Sequence, residues 1–328
     1  MIYKLLSTRV YRAYYGGENI DKITDVENPS VSRFPEDWIG SVTIAFNPDR
    51  NVENEGLTKT TEGEFLKDII EKDKENMIGN RNQMSLLFKM LDSNERLAIQ
   101  VHPTVEFAKE YFNSPFGKTE CWYILNDGGY VYIGFKPGIT KEYMKELFDK
   151  QDTDGMLNAM HRFEVKKGDF IYVAGGVPHA IGAGCFMAEL QEPTDLMVIP
   201  ERVTPSGIKL AEAKLHGGLG FEKMFDCFSY RGYDRETTYK KYFVSPQQKD
   251  RGLKVIADSK ITDKFRLYEI ATDNEYIYSM DSYGIVLIVE GEGKINDIPL
   301  KQGDRLFVSE SEDKLYIKGN LKCLICQP

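Results

Sequence analysis

Histidine, tryptophan and cysteine are scarce in this sequence, and long apolar runs are absent from it. The 328 residues include four His, two Trp and five Cys, and they carry a formal net charge of −9. The negative charge argues against nucleic acid or an acidic membrane as the main partner. Because no stretch approaches the roughly twenty consecutive apolar residues that span a bilayer, we expect no transmembrane helix.

The cysteines indicate a reducing compartment. They are odd in number and spread along a long chain, which is typical of free thiols rather than of a disulfide framework. Cys323 and Cys326 form a lone CxxC in an apolar tail, and we interpret them as packed strand residues because no second pair or histidine lies near them in the sequence. Residues 1–17 are too polar and aromatic for a secretory signal, so we expect a cytoplasmic protein.

Short apolar runs separated by glycine turns recur along the chain and predict a mainly β protein. An internal repeat indicates two copies of one β unit, because residues 300–308 (LKQGDRLFV) match residues 165–173 (VKKGDFIYV). We predict two jelly-roll β-barrel units, with a few helices inserted in or around the first. The predicted boundaries are 1–215 for the first unit, 216–250 for an irregular linker and 251–328 for the second unit.

Local patterns predict particular helices and hairpins within this frame. Apolar residues at helical spacing favour helices at 62–74, 104–112 and 140–161, the last with Thr140 as its N-cap. Turn residues between β-runs predict two hairpins, one joining strand 84–91 to strand 96–102 and one joining strand 117–125 to strand 130–135.

A metal site is suggested first by Gln100 and His102. They are two residues apart in the predicted strand 96–102, and such side chains point to the same face. Glu120 begins the next hairpin, and His179 follows a Gly-Gly-x-Pro corner. Two imidazoles, a carboxylate and an amide oxygen suit Zn²⁺ or, less selectively, Fe²⁺, Mn²⁺ or Co²⁺, and this set can leave a position open for substrate. The alternative for His102 is an ordinary hydrogen-bonded histidine near a strand end.

The second unit cannot repeat this site. All four histidines lie at or before His216, so the second copy of the repeat has no imidazole to offer a metal. We therefore predict that the second unit is free of metal.

Three ordered motifs resemble the type I mannose-6-phosphate isomerase family in its shorter bacterial form. They are residues 100–103 (QVHP), residues 117–123 (GKTECWY), and residues 178–181 (PHAI) together with 189–195 (ELQEPTD). The resemblance covers residues 80–200 strongly and the rest loosely. It implies a cupin fold, one Zn²⁺ per chain held by Gln100, His102, Glu120 and His179, and interconversion of mannose 6-phosphate and fructose 6-phosphate.

The resemblance also implies that Lys118 and Asp195 lie in the active-site cleft. Proton transfer between C2 and C1 through an enediol needs a base, an acid and a group that holds the developing charge. Lys118 is a candidate to stabilise that charge or to carry a proton, because a dication nearby lowers the pKa of a lysine. The alternatives without a catalytic role are a solvated loop lysine for Lys118 and a turn-capping aspartate for Asp195.

Two departures from the family pattern affect the substrate pocket. An arginine is usual about four residues after the aspartate, where this chain has residues 197–200 (MVIP), and the nearest arginine is Arg202. Arg202 is therefore a candidate to hold phosphate by its fork geometry, with a surface arginine as the alternative. Ile39 follows Trp38, where the family commonly has a glutamate.

The leading hypothesis is a metal-dependent isomerase that acts on a small hexose phosphate, with neither nucleic acid nor membrane as partner. The second hypothesis is a non-catalytic sugar-phosphate-binding cupin, which the displaced arginine motivates. The third is another metal-cupin enzyme such as an Fe²⁺ oxygenase, against which the glutamine ligand and the Lys-x-Glu motif argue. The sequence leaves the oligomeric state open.

Overall fold

The computed structural model describes residues 1–48 and 50–328 and is mainly β, with antiparallel strand pairs. The strands are β1 (Ile2–Lys4), β2 (Arg9–Val10), β3 (Glu36–Ile39), β4 (Leu87–Asp92), β5 (Glu120–Ile124), β6 (Tyr130–Phe135), β7 (Met160–Glu164), β8 (Phe170–Val173), β9 (His179–Ile181), β10 (Phe186–Gln191), β11 (Gln247–Gln248), β12 (Leu253–Ala257), β13 (Arg266–Thr272), β14 (Glu275–Ser279), β15 (Gly284–Ile295), β16 (Ile298–Lys301), β17 (Arg305–Val308) and β18 (Lys314–Gln327).

The helices are short and lie between the strands. They are α1 (Asn19–Ile23), α2 (Leu66–Lys72), α3 (Lys74–Ile78), α4 (Val105–Tyr111), α5 (Lys141–Lys150), α6 (Thr153–Asn158), α7 (Glu212–His216), α8 (Phe221–Met224) and α9 (Arg235–Tyr242), with a 3₁₀ turn at Phe225–Cys227. The predicted N-cap of α5 is confirmed, because Thr140 Oγ1 accepts from the Tyr143 N–H at 3.2 Å. In the described residues, no helix has both the length and the apolar character that crossing a bilayer requires.

Three sheets form the body of the molecule. A six-stranded sheet has the order β2-β3-β4-β10-β5-β8, and a three-stranded sheet has the order β7-β6-β9. The strands after β10, joined by β1, build the remaining sheet, in which β15 and β18 form the longest pairing. β1 pairs with β17, so the first strand of the chain completes the C-terminal sheet.

The six-stranded sheet is covered on both faces, and this double burial explains its continuous apolar runs. On one face, Phe88, Leu190 and Tyr123 pack against residues of the C-terminal sheet such as Leu287 and Phe307. On the other face, residues including Trp122 and Ile171 pack against the three-stranded sheet. The candidate site lies on this second face.

Both predicted hairpins are wrong, for one topological reason. β4 pairs with β3 and β10, while segment 97–101 bonds instead to His179, Ile181 and Val198 through isolated bridges rather than a continuous ladder. β5 belongs to the six-stranded sheet and β6 to the three-stranded sheet. In this architecture the chain crosses between facing sheets at the turns, so sequence neighbours face each other instead of pairing edge to edge.

The five cysteines are free and buried. Cys323 and Cys326 lie within β18 with no exposed surface, in agreement with the packing role predicted from the sequence.

Candidate metal centre and adjoining cavity

Three separate segments converge at one point. Glu120 is the first residue of β5 and His179 the first residue of β9. Gln100 is tied to His179 by two backbone hydrogen bonds, at 2.9 and 3.1 Å, and His102 follows two residues later. These pairings, rather than a regular strand at 96–102, bring the sequence motifs together.

His102, Glu120 and His179 are close enough to hold one cation. Each offers a ligand atom, and these atoms all lie within 4.8 Å of one another. His102 Nε2 lies 3.1 Å from Glu120 Oε2, and His179 Nε2 lies 3.4 Å from Glu120 Oε1. All three side chains are buried. The geometry is that of a compact N/O ligand set facing one centre.

Backbone carbonyls set the tautomers of both imidazoles. His102 Nδ1 lies 3.0 Å from the carbonyl oxygen of Leu196, and His179 Nδ1 lies 2.9 Å from that of Val177. An Nδ1–H that donates to a carbonyl leaves the Nε2 lone pair free to bind a metal. Burial lowers the pKa of His102, and it lowers the pKa of His179 to about 3, so both rings are neutral at physiological pH.

The donor atoms themselves indicate a missing partner. Glu120 Oε2 and His179 Nε2 are buried without a geometrically acceptable hydrogen bond, although cationic groups lie close to the carboxylate. Buried polar atoms are normally satisfied, and an ion is one of the standard explanations for an exception. Burial alone would raise the pKa of Glu120, but Lys118 and His102 outweigh it and hold the pKa well below the usual range. The residues therefore fit a divalent cation.

Lys118 lies beside this centre. Its Nζ lies 2.8 Å from His102 Nε2 and 3.0 Å from Glu120 Oε2, and its side chain is buried. This position rules out the solvated loop lysine considered above.

A cavity of about 650 Å³, counting its open mouth, adjoins the ligand set. The cavity is lined by three of the residues singled out in the sequence, Gln100, Lys118 and Asp195. It is also lined by residues that the sequence motifs did not indicate, among them Arg12, Tyr14, Glu36, Lys89, Glu189 and Lys214. Gln100, the fourth predicted ligand, thus lines the cavity that adjoins the other three.

A polar row crosses the sheet beneath the cavity. Trp38, Lys89, Glu189 and Trp122 are directly opposite one another on the successive strands β3, β4, β10 and β5. Directly opposite residues share a face of the sheet, so these side chains all project to the same side. The row places two charged groups where an ordinary sheet would have aliphatic residues.

Arg12 and Lys89 compensate the buried carboxylates. Arg12 donates to Glu36 at 2.9 and 3.2 Å and to Asp195 at 3.0 Å through both terminal nitrogens. Lys89 Nζ lies 3.3 Å from Glu36 and 3.1 Å from Glu189. Burial by itself would raise the pKa of Glu36, but Arg12 and Lys89 lower it well below the usual range. Glu189 differs from Glu36 in that burial dominates, and its pKa is raised to about 8.

Arg202 is not brought to the cavity lining. Its guanidinium lies 4.2 Å from the ring centroid of Phe148 and 5.4 Å from that of Phe221, and it donates to the Phe148 carbonyl at 3.4 Å. This contact explains why Arg202 is half-buried. Its phosphate-binding role stays a prediction, and the cations that do line the cavity are Arg12, Lys89, Lys118 and Lys214.

Comparison with known proteins gives one consistent family. The model of the family "Phosphomannose isomerase type I, catalytic domain" matches residues 3–123. Mannose-6-phosphate isomerase ManA of Bacillus subtilis (strain 168) is 28% identical over 254 residues, which cover 74% of this chain and 75% of that relative.

The solved structures extend the likeness to the whole fold. The crystal structure of mannose 6-phosphate isomerase from Bacillus subtilis aligns with a TM-score of 0.77 at 23% identity, covering 99% of this chain and 100% of that chain. A crystal structure described as mannose 6-phosphate isomerase (holo; zinc bound) aligns with a TM-score of 0.76 at 16% identity, covering 99% of both chains. At these identities the alignments show a shared fold.

Proposed function

We propose that this chain is a member of the phosphomannose isomerase type I family and a zinc-dependent enzyme that interconverts mannose 6-phosphate and fructose 6-phosphate. The observation that carries the proposal is the convergence of His102, Glu120 and His179 beside Lys118 at the edge of one cavity. The family match and the mannose-6-phosphate isomerase relatives support the substrate.

Zinc is the metal that we assign to this site. His102, Glu120 and His179 would hold it, with Gln100 as the fourth ligand, and the zinc-bound relative supports this choice. When bound, zinc supplies a Lewis acid that polarises the oxygens of the reacting carbons. In these tautomers the Nε2 atoms of His102 and His179 each carry a lone pair that can bind zinc, so neither ring has to release a proton first.

The isomerisation itself is a pair of proton transfers. For open-chain mannose 6-phosphate, the proton on C2 moves to C1 and the hydroxyl proton on O2 moves to O1, so no atom is gained or lost. We assign these transfers to Lys118 and Glu189. Lys118 lies beside the ligand set, and Glu189 faces the cavity with a pKa near neutrality, where a carboxyl group can both accept and donate.

Asp195 has a different role in this proposal. Both its oxygens accept from Arg12, and Oδ2 also accepts from the backbone N–H of Phe46 at 2.7 Å. A carboxylate whose two oxygens already accept hydrogen bonds is better suited to positioning its neighbours than to transferring protons. We therefore propose that Asp195 orders Arg12 and the segment around Phe46 at the cavity mouth.

The phosphate group needs a cation at the cavity lining. Lys214 lines the cavity on α7, and its Nζ lies 3.0 Å from Asn47 Oδ1. We propose that Lys214 contacts the phosphate as a charge-assisted donor. Arg202 is the alternative that the sequence predicts.

The finer architecture also remains a proposal. Two jelly-roll units, with bounds of 1–215 and 251–328 and a linker at 216–250, are supported by the separate sheets before and after β10 and by the matching turns of the repeat. Gly168 and Gly303 have φ values of 89° and 86° at equivalent places in that repeat. The pairing of β1 with β17 means that the second unit would include the first strand of the chain. A cytoplasmic location likewise stays a prediction.

The test combines metal content with a coupled isomerase assay. We expect about one zinc per chain in the purified protein, and we expect chelation to abolish turnover. His179→Ala should lose metal and activity together, whereas Lys118→Ala should keep zinc and lose about 10²–10⁴ in kcat as a proton-transfer residue.

Two other outcomes would change the assignment. Saturable hexose-phosphate binding without exchange of the C2 proton in deuterated water would indicate the binding protein instead. A zinc-loaded protein that neither binds nor converts hexose phosphates would overturn the proposal.

A further inference from the structure

Two Glu-x-Trp pairs lie at the two ends of the polar row. The chain has only two tryptophans, and each follows a glutamate by two residues, as Glu36 with Trp38 and Glu120 with Trp122. Residues two apart on a strand share a face, so each indole can reach the carboxylate that precedes it. The indole N–H of Trp38 donates to Glu36 Oε2 at 2.8 Å, and that of Trp122 donates to Glu120 Oε1 at 3.1 Å.

Trp122 contacts two of the candidate metal ligands at once. Its hydrogen bond occupies Glu120 Oε1, while Oε2 faces Lys118 and His102 at 3.0 and 3.1 Å. Its ring also meets that of His179 edge-on, with centroids 5.4 Å apart and an interplanar angle of 65°. Trp122 is completely buried, and its strand is bonded on both sides, to β10 and β8.

From this geometry we propose that Trp122 is a positioning residue for the metal centre, a proposal that rests on the zinc site assigned above. The last torsion of a glutamate side chain has only broad preferences, so a carboxylate without a second contact can rotate. The indole N–H fixes that rotation, with Oε2 directed toward His102 and Oε1 held near His179. The ring edge fixes the orientation of His179.

Trp122→Phe tests the proposal, because phenylalanine keeps an aromatic ring beside His179 and removes the N–H. The zinc dissociation constant is measured on metal-free protein by competition with a zinc-binding dye. Loss of an outer contact of this kind typically weakens metal binding about 10- to 100-fold, and we expect that range. Trp38→Phe is the matched control, since it removes the same N–H from Glu36, and it should change zinc affinity by less than about threefold if only contacts to metal ligands matter.

A coupling measurement separates positioning from general destabilisation. In a Glu120→Ala background the carboxylate is absent, so Trp122→Phe should weaken zinc binding much less than it does in the wild-type background. Equal losses of zinc affinity in the two backgrounds would show that Trp122→Phe weakens binding by destabilising the protein as a whole, and would overturn the proposal. Thermal unfolding of each metal-free variant accompanies the titrations.

Fluorescence provides a readout that needs no variant at position 122. Trp38→Phe leaves Trp122 as the sole tryptophan, and we expect its emission to change with zinc and to saturate at one equivalent. Zinc binding at normal affinity without any change in emission would overturn the proposal.

Failure of this inference is distinguishable from failure of the proposed function. A wild-type protein that binds no zinc contradicts the function. A wild-type protein that binds zinc and isomerises mannose 6-phosphate, with Trp122→Phe of equal zinc affinity, contradicts only the role of Trp122.

Discussion

Lys89 is the residue whose replacement gives the most direct test of the buried charge network. Its side chain is buried in the middle of β4, with Nζ 3.1 Å from Glu189 and 3.3 Å from Glu36. Lys89→Met keeps much of the aliphatic length and removes the charge. Glu36 then retains Arg12, whereas Glu189 loses the only ion-pair partner that it has in the part of the chain that the structure describes.

The expected loss of stability is large. In the pH range where the wild-type Glu189 carboxylate is charged, above its pKa of about 8, removing Lys89 leaves an uncompensated buried charge and costs about 3–5 kcal/mol in the free energy of unfolding. Replacing both members by neutral groups of similar shape costs far less, because no buried charge is left without a partner. Lys89→Met combined with Glu189→Gln should therefore recover most of the loss, and this double variant is the control.

The loss should depend on pH with a defined sign. Burial already raises the pKa of Glu189 to about 8, and removal of Lys89 raises it further. In the unfolded chain the pKa of a glutamate is about 4.3, so between these values the folded variant holds a proton that the unfolded chain has released. Stability then falls as pH rises through this window, by up to about 1.4 kcal/mol for each additional pKa unit.

Urea unfolding of metal-free protein, followed by circular dichroism at pH 6 and pH 9, measures both effects. We expect Lys89→Met to be clearly less stable than wild type at pH 9 and the deficit to be smaller at pH 6, where Glu189 is protonated. The double variant should show a much weaker pH dependence. A Lys89→Met protein within about 1 kcal/mol of wild type at pH 9 would refute the reasoning, since that is below the cost of an unpaired buried carboxylate.

Two further predictions concern the phosphate and the junction between the sheets. Lys214→Gln should raise the KM for mannose 6-phosphate about 10- to 100-fold, as expected for a lost charge-assisted hydrogen bond, with a smaller effect on kcat. Arg202→Gln should leave KM nearly unchanged in the same initial-rate assay, and the reverse pattern would assign the phosphate to Arg202. Arg305→Met removes the buried partner of Asp37, so it should cost about 3–5 kcal/mol in urea unfolding without changing zinc affinity. An unchanged unfolding midpoint would contradict this expectation.

The candidate metal ligands can be picked out from the sequence because their chemistry is local. Gln100 and His102 are close in the sequence, and Glu120 and His179 each lie in a short motif with glycine or proline beside it. Residue type and motif therefore indicate candidate donors even though the predicted strand pairing around them is wrong. The convergence depends on bonds of segment 97–101 to β9 and to Val198, which no local pattern encodes.

The charge network was missed for a different physical reason. Lys89 and Glu189 each lie inside an apolar strand, LFKMLD and FMAELQ, and the apolar pattern of these runs by itself predicts only strands. A charged residue in the middle of a strand buried on both faces must have a partner, and this signal was present in the sequence. What the sequence could not provide was the identity of that partner. The pairing of Glu189 with Lys89 depends on the register of β10 against β4, strands about a hundred residues apart.

The repeat gives a last prediction, on the number of metal ions. The second copy of the repeat folds into β16 and β17, yet its strands carry no histidine, since His216 is the last in the chain. Within the described residues the one group of His, Cys, Asp and Glu close enough to hold a cation is His102, Glu120 and His179. Elemental analysis after gel filtration should therefore give one zinc per chain, and His179→Ala should reduce this value nearly to zero. Two ions per wild-type chain, or one ion remaining in His179→Ala, would mean that a centre outside this ligand set binds zinc.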